Sequence, residues 1–347
     1  MTKSNFKGIP SKFFLVVIVL IMVIVACGQS GITPRPYPTR PTTRLVMENN
    51  LDATEIWRVS SLRVGANTII VTPHHILLNN AKDRLVSYDP ATGSIKWKTK
   101  YEGGGSSISV DDKKLYVASP GEPLLAYDLE TGNKVWSGPM LAIRRGHTLR
   151  IRDGVLVDLS DVIRLFNPET GELLREEVFV NHSPPAHYIM QIEGTELRQT
   201  SEALMRIEHN TRKTIWQTPF DDAKGLILRF PTVSDNNILV LVTTQAIERD
   251  LHAIDFETGR RLWKINGDFV SNAAVVDGKI YILREDARLM VLDELTGGEL
   301  GYIQFSPAET EAGIGEVRFW VGADDQGRIF VYFSDSEELI ALKTDVL

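Results

Sequence analysis

The apolar positions of this chain fall in short runs rather than long stripes. Ser107-Ile108-Ser109-Val110, Lys114-Leu115-Tyr116-Val117, Ala273-Ala274-Val275-Val276 and Lys279-Ile280-Tyr281-Ile282 are rich in Ile, Val, Leu and Tyr and are bounded by Asp- or Gly-containing turns. That pattern predicts β-strands joined by tight connections. One phrase punctuates the runs. It reads Tyr88-Asp89-Pro90-Ala91-Thr92-Gly93-Ser94-Ile95-Lys96-Trp97, then Tyr127-Asp128-Leu129-Glu130-Thr131-Gly132-Asn133-Lys134-Val135-Trp136. It returns as Phe166-Asn167-Pro168-Glu169-Thr170-Gly171 and as an eroded Ile207-Glu208-His209-Asn210-Thr211-Arg212 ending in Trp216. The last two copies are Ile254-Asp255-Phe256-Glu257-Thr258-Gly259 ending in Trp263, and Leu292-Asp293-Glu294-Leu295-Thr296-Gly297. Successive spacings are 39, 39, 41, 47 and 38 residues, the period of a propeller blade or a helical repeat.

Each part of the phrase has a local cause. A strand leads in, Asp caps a tight turn by accepting backbone N–H groups, Gly supplies the positive φ that closes it, and a second strand follows with Ile or Val and then Trp. Two further runs lie upstream of each phrase, so a unit carries four antiparallel strands. Four strands per roughly 40 residues, repeated, predict an all-β fold: a single β-propeller of four-stranded antiparallel blades. The ends supply the count. Glu338-Leu339-Ile340-Ala341-Leu342 matches the strand before the Asp turn, yet no Trp strand follows it. Glu55-Ile56-Trp57-Arg58 matches that missing strand and has no blade before it. The N-terminal strand is therefore expected to join the last blade and close the ring, giving seven blades over residues 51–347 at about 42 residues each. Six or eight stay compatible with the degenerate fourth unit and the long last one.

The first residues follow another pattern. After Lys3, Lys7 and Lys12, the stretch Phe13 to Ala26 is 14 uninterrupted apolar residues, short of the roughly 20 that span a bilayer. It reads as the apolar region of an export signal. Ile24-Val25-Ala26-Cys27 resembles the bacterial lipobox, and Cys27 is the only cysteine of the chain, so its acylation accounts for both count and position. Residues 28–46 hold Pro34, Pro36, Pro38 and Pro41 with Arg35, Arg40 and Arg44 and no acid, the composition of a semi-rigid spacer. The expected organisation is a lipoprotein signal peptide over 1–26, a lipidated Cys27 with a Pro/Thr-rich linker over 27–50, and the propeller over 51–347. The expected location is extracytoplasmic, on a bacterial membrane through the lipid anchor, at either the periplasmic or the cell-surface face.

Composition narrows the function. The 347 residues are 43% hydrophobic and 24% charged, as in folded soluble domains. Beyond residue 26 there are 35 basic against 45 acidic residues, which argues against a nucleic-acid partner.

The repeated Asp-x-x-Thr-Gly-x-x-x-Trp resembles the PQQ-type propeller repeat of quinoprotein dehydrogenases and of BamB-type outer-membrane assembly lipoproteins, over nearly all of 51–347. The resemblance implies that the shared residues, Trp57, Asp89, Gly93, Trp97, Asp128, Gly132, Trp136, Gly171, Trp216, Asp255, Gly259, Trp263, Asp293 and Gly297, build the fold, the tryptophans wedging between blades. The third and sixth units depart, with Arg175 and Gly301 at the tryptophan's place. The dehydrogenases also imply calcium, a quinone, a disulfide-linked pair of adjacent cysteines and about twice this length. This chain has a single cysteine, and no cofactor, metal site or enzymatic activity is expected of it.

Other chemistry is sparse. His74, His75, His147, His182 and His187 lack a recognised metal-binding spacing, and no nucleophile elbow or phosphate-binding loop occurs. The segment Phe220 to Phe230 mixes aliphatics with charge between two blades, so Asp221, Asp222, Leu226, Leu228 and Arg229 are the candidate partner-binding residues. Leu226 to Leu228 read equally well as the inner strand of the next blade. Met140 to Arg145 is a second, weaker candidate. The expected function is a lipid-anchored, non-enzymatic scaffold for envelope proteins, built as a monomeric disc. The alternatives are a propeller that binds or senses a small molecule or polysaccharide, and a divergent PQQ-dependent dehydrogenase.

Overall fold

The computed structural model describes residues 47–344 except 50, 52, 63, 81–83, 102–106, 142–147, 153, 160–161, 179–186, 193, 201–202, 209–210, 212, 221–226, 246–247, 306–318 and 335. Cys27 and both segments ahead of residue 47 lie outside the described residues. The sequence runs through β1 (Met47–Asn49) and β2 (Ala53–Val59) before the first complete blade. Blade 1 is β3 (Val64–Val71), β4 (Ile76–Asn80), β5 (Arg84–Tyr88) and β6 (Ile95–Lys100). Blade 2 is β7 (Ser107–Val110), β8 (Lys114–Ala118), β9 (Pro123–Asp128) and β10 (Lys134–Met140). Blade 3 is β11 (Thr148–Arg152), β12 (Val155–Leu159), β13 (Val162–Phe166) and β14 (Leu173–Val178). Blade 4 is β15 (His187–Ile192), β16 (Thr195–Gln199), β17 (Ala203–Glu208) and β18 (Thr214–Pro219). Blade 5 is β19 (Ile227–Val233), β20 (Ile238–Gln245), β21 (Glu248–Asp255) and β22 (Arg261–Ile265). Blade 6 is β23 (Ala274–Val276), β24 (Lys279–Leu283), β25 (Arg288–Asp293) and β26 (Glu299–Phe305). The chain ends with β27 (Phe319–Ala323), β28 (Arg328–Phe333) and β29 (Glu338–Thr344).

Within each sheet, strands pair antiparallel in chain order, and β2 completes the seventh in the order β2-β29-β28-β27. Trp57 pairs with Ala341 and Arg58 with Ile340, so the ring closes as its end residues predict, with seven blades. The first strands of neighbouring blades approach one another at β27 and β3, β3 and β7, β7 and β11, β15 and β19, and β23 and β27, which places them innermost.

Blade faces are buried against neighbours at six of the seven seams, so central strands read as continuous apolar runs. Alternate residues serve opposite seams. In β20, Leu239 and Leu241 pack with Leu197, Leu204 and Trp216 of blade 4. Ile238, Val240 and Val242 pack instead with Ile280, Ile282 and Leu292 of blade 6. Six clusters of this kind straddle six of the seven seams; among the described residues none bridges blades 3 and 4.

The repeated phrase is the device that locks one blade to the next. Asp128 Oδ1 accepts the Thr131 N–H at 2.8 Å and the Thr131 hydroxyl at 2.7 Å, and Gly132 N–H donates to the Asp128 carbonyl at 2.9 Å. These hydrogen bonds hold the Asp128 carboxyl below the usual carboxylate range. Gly132, at φ +69°, leaves a bare backbone surface on which the Trp97 ring of the preceding blade lies; a Cβ there would stand 2.5 Å from Trp97 Cε3. Trp97 Nε1 then donates to the Leu129 carbonyl inside the same turn at 2.8 Å. Trp57, Trp136, Trp216 and Trp263 do the same to Pro90, Pro168, Phe256 and Glu294 at 2.8–3.0 Å. Five tryptophans thus key five seams.

Blades 3 and 6 lack the key, and blade 6 is compensated by an element that the sequence pattern did not announce. Residues Met47–Asn49, expected within the linker, form β1 and add a fifth strand to β26. Leu51 then packs so tightly on Gly301 that a Cβ there would collide with its methyl groups. In every blade one extra residue bulges from the outer strand just before the tryptophan position: Ile56, Lys96, Val135, Leu174, Ile215, Leu262 and Leu300. A bulge adds twist and re-aims the side chain that follows, here into the neighbouring turn.

Candidate functional site

Antiparallel order sets two loop faces. The Asp turns and the first-to-second connections share one face; each blade's fourth strand ends, and the next blade's first begins, at the other. The candidate partner-binding segment leaves β18 at that second face. Its entrance is pinned by Phe220, a buried side chain whose ring stands edge-on to His252 at 5.4 Å. The Arg261 guanidinium lies 5.2 Å from the centre of the same ring and donates to the Pro219 carbonyl at 2.8 Å. His252 Nε2 is 3.1 Å from the Thr243 hydroxyl. Burial, aided by the positive charges of Arg261 and Lys264, pushes the His252 imidazole down to about 4 against the pull of Asp250. Lys264 in turn bridges Asp250 at 2.8 Å.

The candidate residues divide. Asp221, Asp222 and Leu226 lie outside the described residues. Leu228 and Arg229 belong to the inner strand β19, in register with Thr243 and Val242, which is the strand reading of this stretch. The physical reason is that a run of aliphatics without alternation fits an innermost strand as well as a contact loop. The second candidate begins with Met140, 66% exposed at the end of β10. Leu141 turns inward, buried, with its N–H on the Glu122 carbonyl at 2.9 Å. Residues 142–145 lie outside the described residues.

On the Asp-turn face a cleft of about 510 Å³ opens between blades 7 and 1, with Pro73, His74, Asp89, Lys96, Asp325 and Arg328 among its lining. Its charges are mutually engaged: Lys96 Nζ donates to the His74 carbonyl at 3.3 Å and to Glu130 at 3.3 Å, and Arg328 Nε to Asp324 at 2.6 Å. Beside it His75 Nδ1 lies 2.8 Å from Ser87 Oγ and Nε2 lies 3.0 Å from Glu130. The residue types are those of a hydrolytic triad, but Ser87 is fully buried and His75 nearly so, and a substrate cannot reach the hydroxyl. The arrangement joins blade 1 to blade 2.

That role recurs where sequence reasoning had no signal. Lys114 meets Glu169 at 2.7 Å across the next seam, and Arg206 meets Glu257 at 3.2 Å across a later one. Both acids, like Glu130, sit two residues after the capping Asp or Asn. Their recurrence in the phrase was visible, yet their partners lie about 50 residues away. Of the candidate histidines, His75 is consumed in this way, His74 is exposed, His187 opens β15, and His147 and His182 lie outside the described residues. Among the described residues no group of three His, Cys, Asp or Glu side chains converges to hold a metal.

Comparison with known proteins matches residues 44–186 and 200–300 to the family described as outer membrane protein assembly factor BamB. The curated proteins give no match. Among solved structures the chain is similar to BamB from Moraxella catarrhalis, at 13% identity and a TM-score of 0.50, covering 84% of this chain and 99% of that one. At that identity the likeness is one of fold.

Proposed function

We infer the function from the family to which this chain belongs, that of the outer membrane protein assembly factor BamB: the protein is a non-enzymatic interaction propeller that holds other proteins together in the bacterial envelope, in outer-membrane assembly. The observation that carries this reading is the match of a ring built from keyed seams to that family over most of its length. A fold whose repeated residues are spent on turns and wedges leaves recognition to its loops. Cys27, acylated, anchors the ring to the membrane, and residues 28–46 space it from the surface. The connection between β18 and β19, with Asp221, Asp222 and Leu226, is the docking loop, and Phe220 fixes its root.

The test is co-purification from detergent-solubilised membranes of wild type and of Asp221→Arg/Asp222→Arg, with mass spectrometry of what elutes. A stoichiometric envelope protein present with wild type and lost with the variant supports the reading. A wild-type eluate free of envelope proteins sinks it. Acylation is tested in parallel by metabolic labelling with an alkyne fatty acid: wild type should carry the label and Cys27→Ser should not, and an unlabelled wild type would sink the anchor. The cleft between blades 7 and 1 favours a second reading, binding of a small polar molecule; a small molecule released in equimolar amount on denaturation would support it.

A further inference from the structure

Outer strands are exposed edges, and this chain shows on itself what such an edge accepts. β1 lies along β26 with Met47 opposite Phe305, Glu48 opposite Gln304 and Asn49 opposite Ile303. That covered edge belongs to one of the two blades without a tryptophan key. The other is blade 3, whose outer strand β14 has no strand beyond it among the described residues. Leu173 and Leu174 are 41% and 53% exposed there.

The remaining open edges are mostly blunted. β6 presents Lys96, Lys98 and Lys100, β10 has Lys134 and Pro139, β18 ends in Pro219 and β22 carries Lys264. Lysine and proline on an edge resist pairing with another chain. β14, reading Leu-Leu-Arg-Glu-Glu-Val, contains neither; β2 of blade 7 also lacks both, but it carries the Trp57 key that β14 does not.

Charge specifies the occupant. The register aligns Asp158 of β12, Arg164 of β13 and Glu176 of β14 in one row across the blade. Arg164 lies 3.6 Å from the fully buried Asp158 and donates to Glu176 at 2.8 Å. The row alternates in sign and stops on an acid whose side chain is 42% exposed. The next position outward suits a cation.

We propose that β14 is a docking edge for an extended, proline-free segment of another protein, which adds antiparallel as a fifth strand with Lys or Arg opposite Glu176 and apolar residues beside Leu174. A row of edge N–H and C=O groups is matched in series only by a second extended backbone. The surface is separate from the β18–β19 connection, so it stands or falls independently of the docking loop.

The experiment is fluorescence anisotropy of a labelled synthetic peptide, Ser-Val-Thr-Lys-Thr-Val-Ser, titrated with the whole protein beside the same peptide with Glu for Lys. The Lys peptide is expected to bind about three- to tenfold more tightly, the size of one favourable cross-strand charge pair set against one unfavourable. Glu176→Lys should reverse the preference, and Leu174→Lys should weaken both peptides. Both variants are expected to melt near wild type because both side chains are exposed. Equal affinities, no binding of either peptide, or a preference that Glu176→Lys leaves unchanged would overturn the proposal. So would concentration-dependent self-association that Leu174→Lys abolishes, since the edge would then belong to a second copy.

Discussion

Replacing Gly132 by Ala tests the keyed seam in isolation. Two penalties are expected. The left-handed backbone at φ +69° costs an L-residue about 1–2 kcal/mol. The added methyl also stands 2.5–2.6 Å from Trp97 Cε3 and Cδ2, and forcing a packed ring aside costs about 1–3 kcal/mol. Trp97→Ala by itself removes a buried ring and leaves the Leu129 carbonyl without its 2.8 Å donor, a loss of about 3–5 kcal/mol. With the ring gone the three atoms nearest that methyl are gone too, so the double variant should lie only about 1–2 kcal/mol below Trp97→Ala. The cycle therefore predicts a coupling of about 1–3 kcal/mol between the two positions. Gly154→Ala supplies the control: its φ is +73° and a Cβ there meets nothing within 4 Å, so it reports the backbone cost alone. Equilibrium urea unfolding followed by far-UV circular dichroism gives each value. Strict additivity of Gly132→Ala and Trp97→Ala, or a Gly154→Ala loss as large as that of Gly132→Ala, would refute the wedge.

Other expectations follow from the same geometry. His252 is neutral in the fold, with a pKa lowered from 6.5 to about 4, so its contribution is complete above pH 6.5 and drains away as pH falls toward 4. The full loss is about 3 kcal/mol, and His252→Phe should flatten that part of a stability-against-pH curve from thermal melts. Arg206→Ala strips the Thr195 hydroxyl and the Phe256 carbonyl of a buried donor and should cost about 2–4 kcal/mol in urea unfolding. Glu257→Ala removes only the 60% exposed partner and should cost less than about 1 kcal/mol. Deleting β2 bares the outer edge of β29 across the apolar Leu339 to Leu342; gel filtration should show aggregation in place of a monodisperse peak.

Legibility followed range. Asp128, Thr131 and Gly132 act on one another within five residues, so their turn could be read directly, and repetition turned one turn into a fold. Closure was legible because Trp57 carries the tryptophan of a phrase whose first half stands at the other end of the chain. β1 was not, since three residues hold no periodicity and their pairing to β26 depends on Gly301, an absence more than 250 residues away. The latches from His75, Lys114 and Arg206 failed for the same reason: each charge is ordinary in its own strand and gains meaning only beside the next blade. At the candidate loop, Leu228 and Arg229 lay where an apolar run fits two environments, and only pairing with Val242 and Thr243 decides between them.

The pairing of β2 with β29 also fixes an order of events in time. The strand that completes the last blade is synthesised before the other six blades, and its partner after them, about 280 residues later. Contacts so distant in sequence form slowly, because the loop entropy falls due before any reward. Until β29 forms, Trp57 and its strand wait unpaired while the six blades between them assemble. The half-made ring presents an unfinished edge at each end for that whole interval, so the protein is most open to wrong pairing before its ring closes.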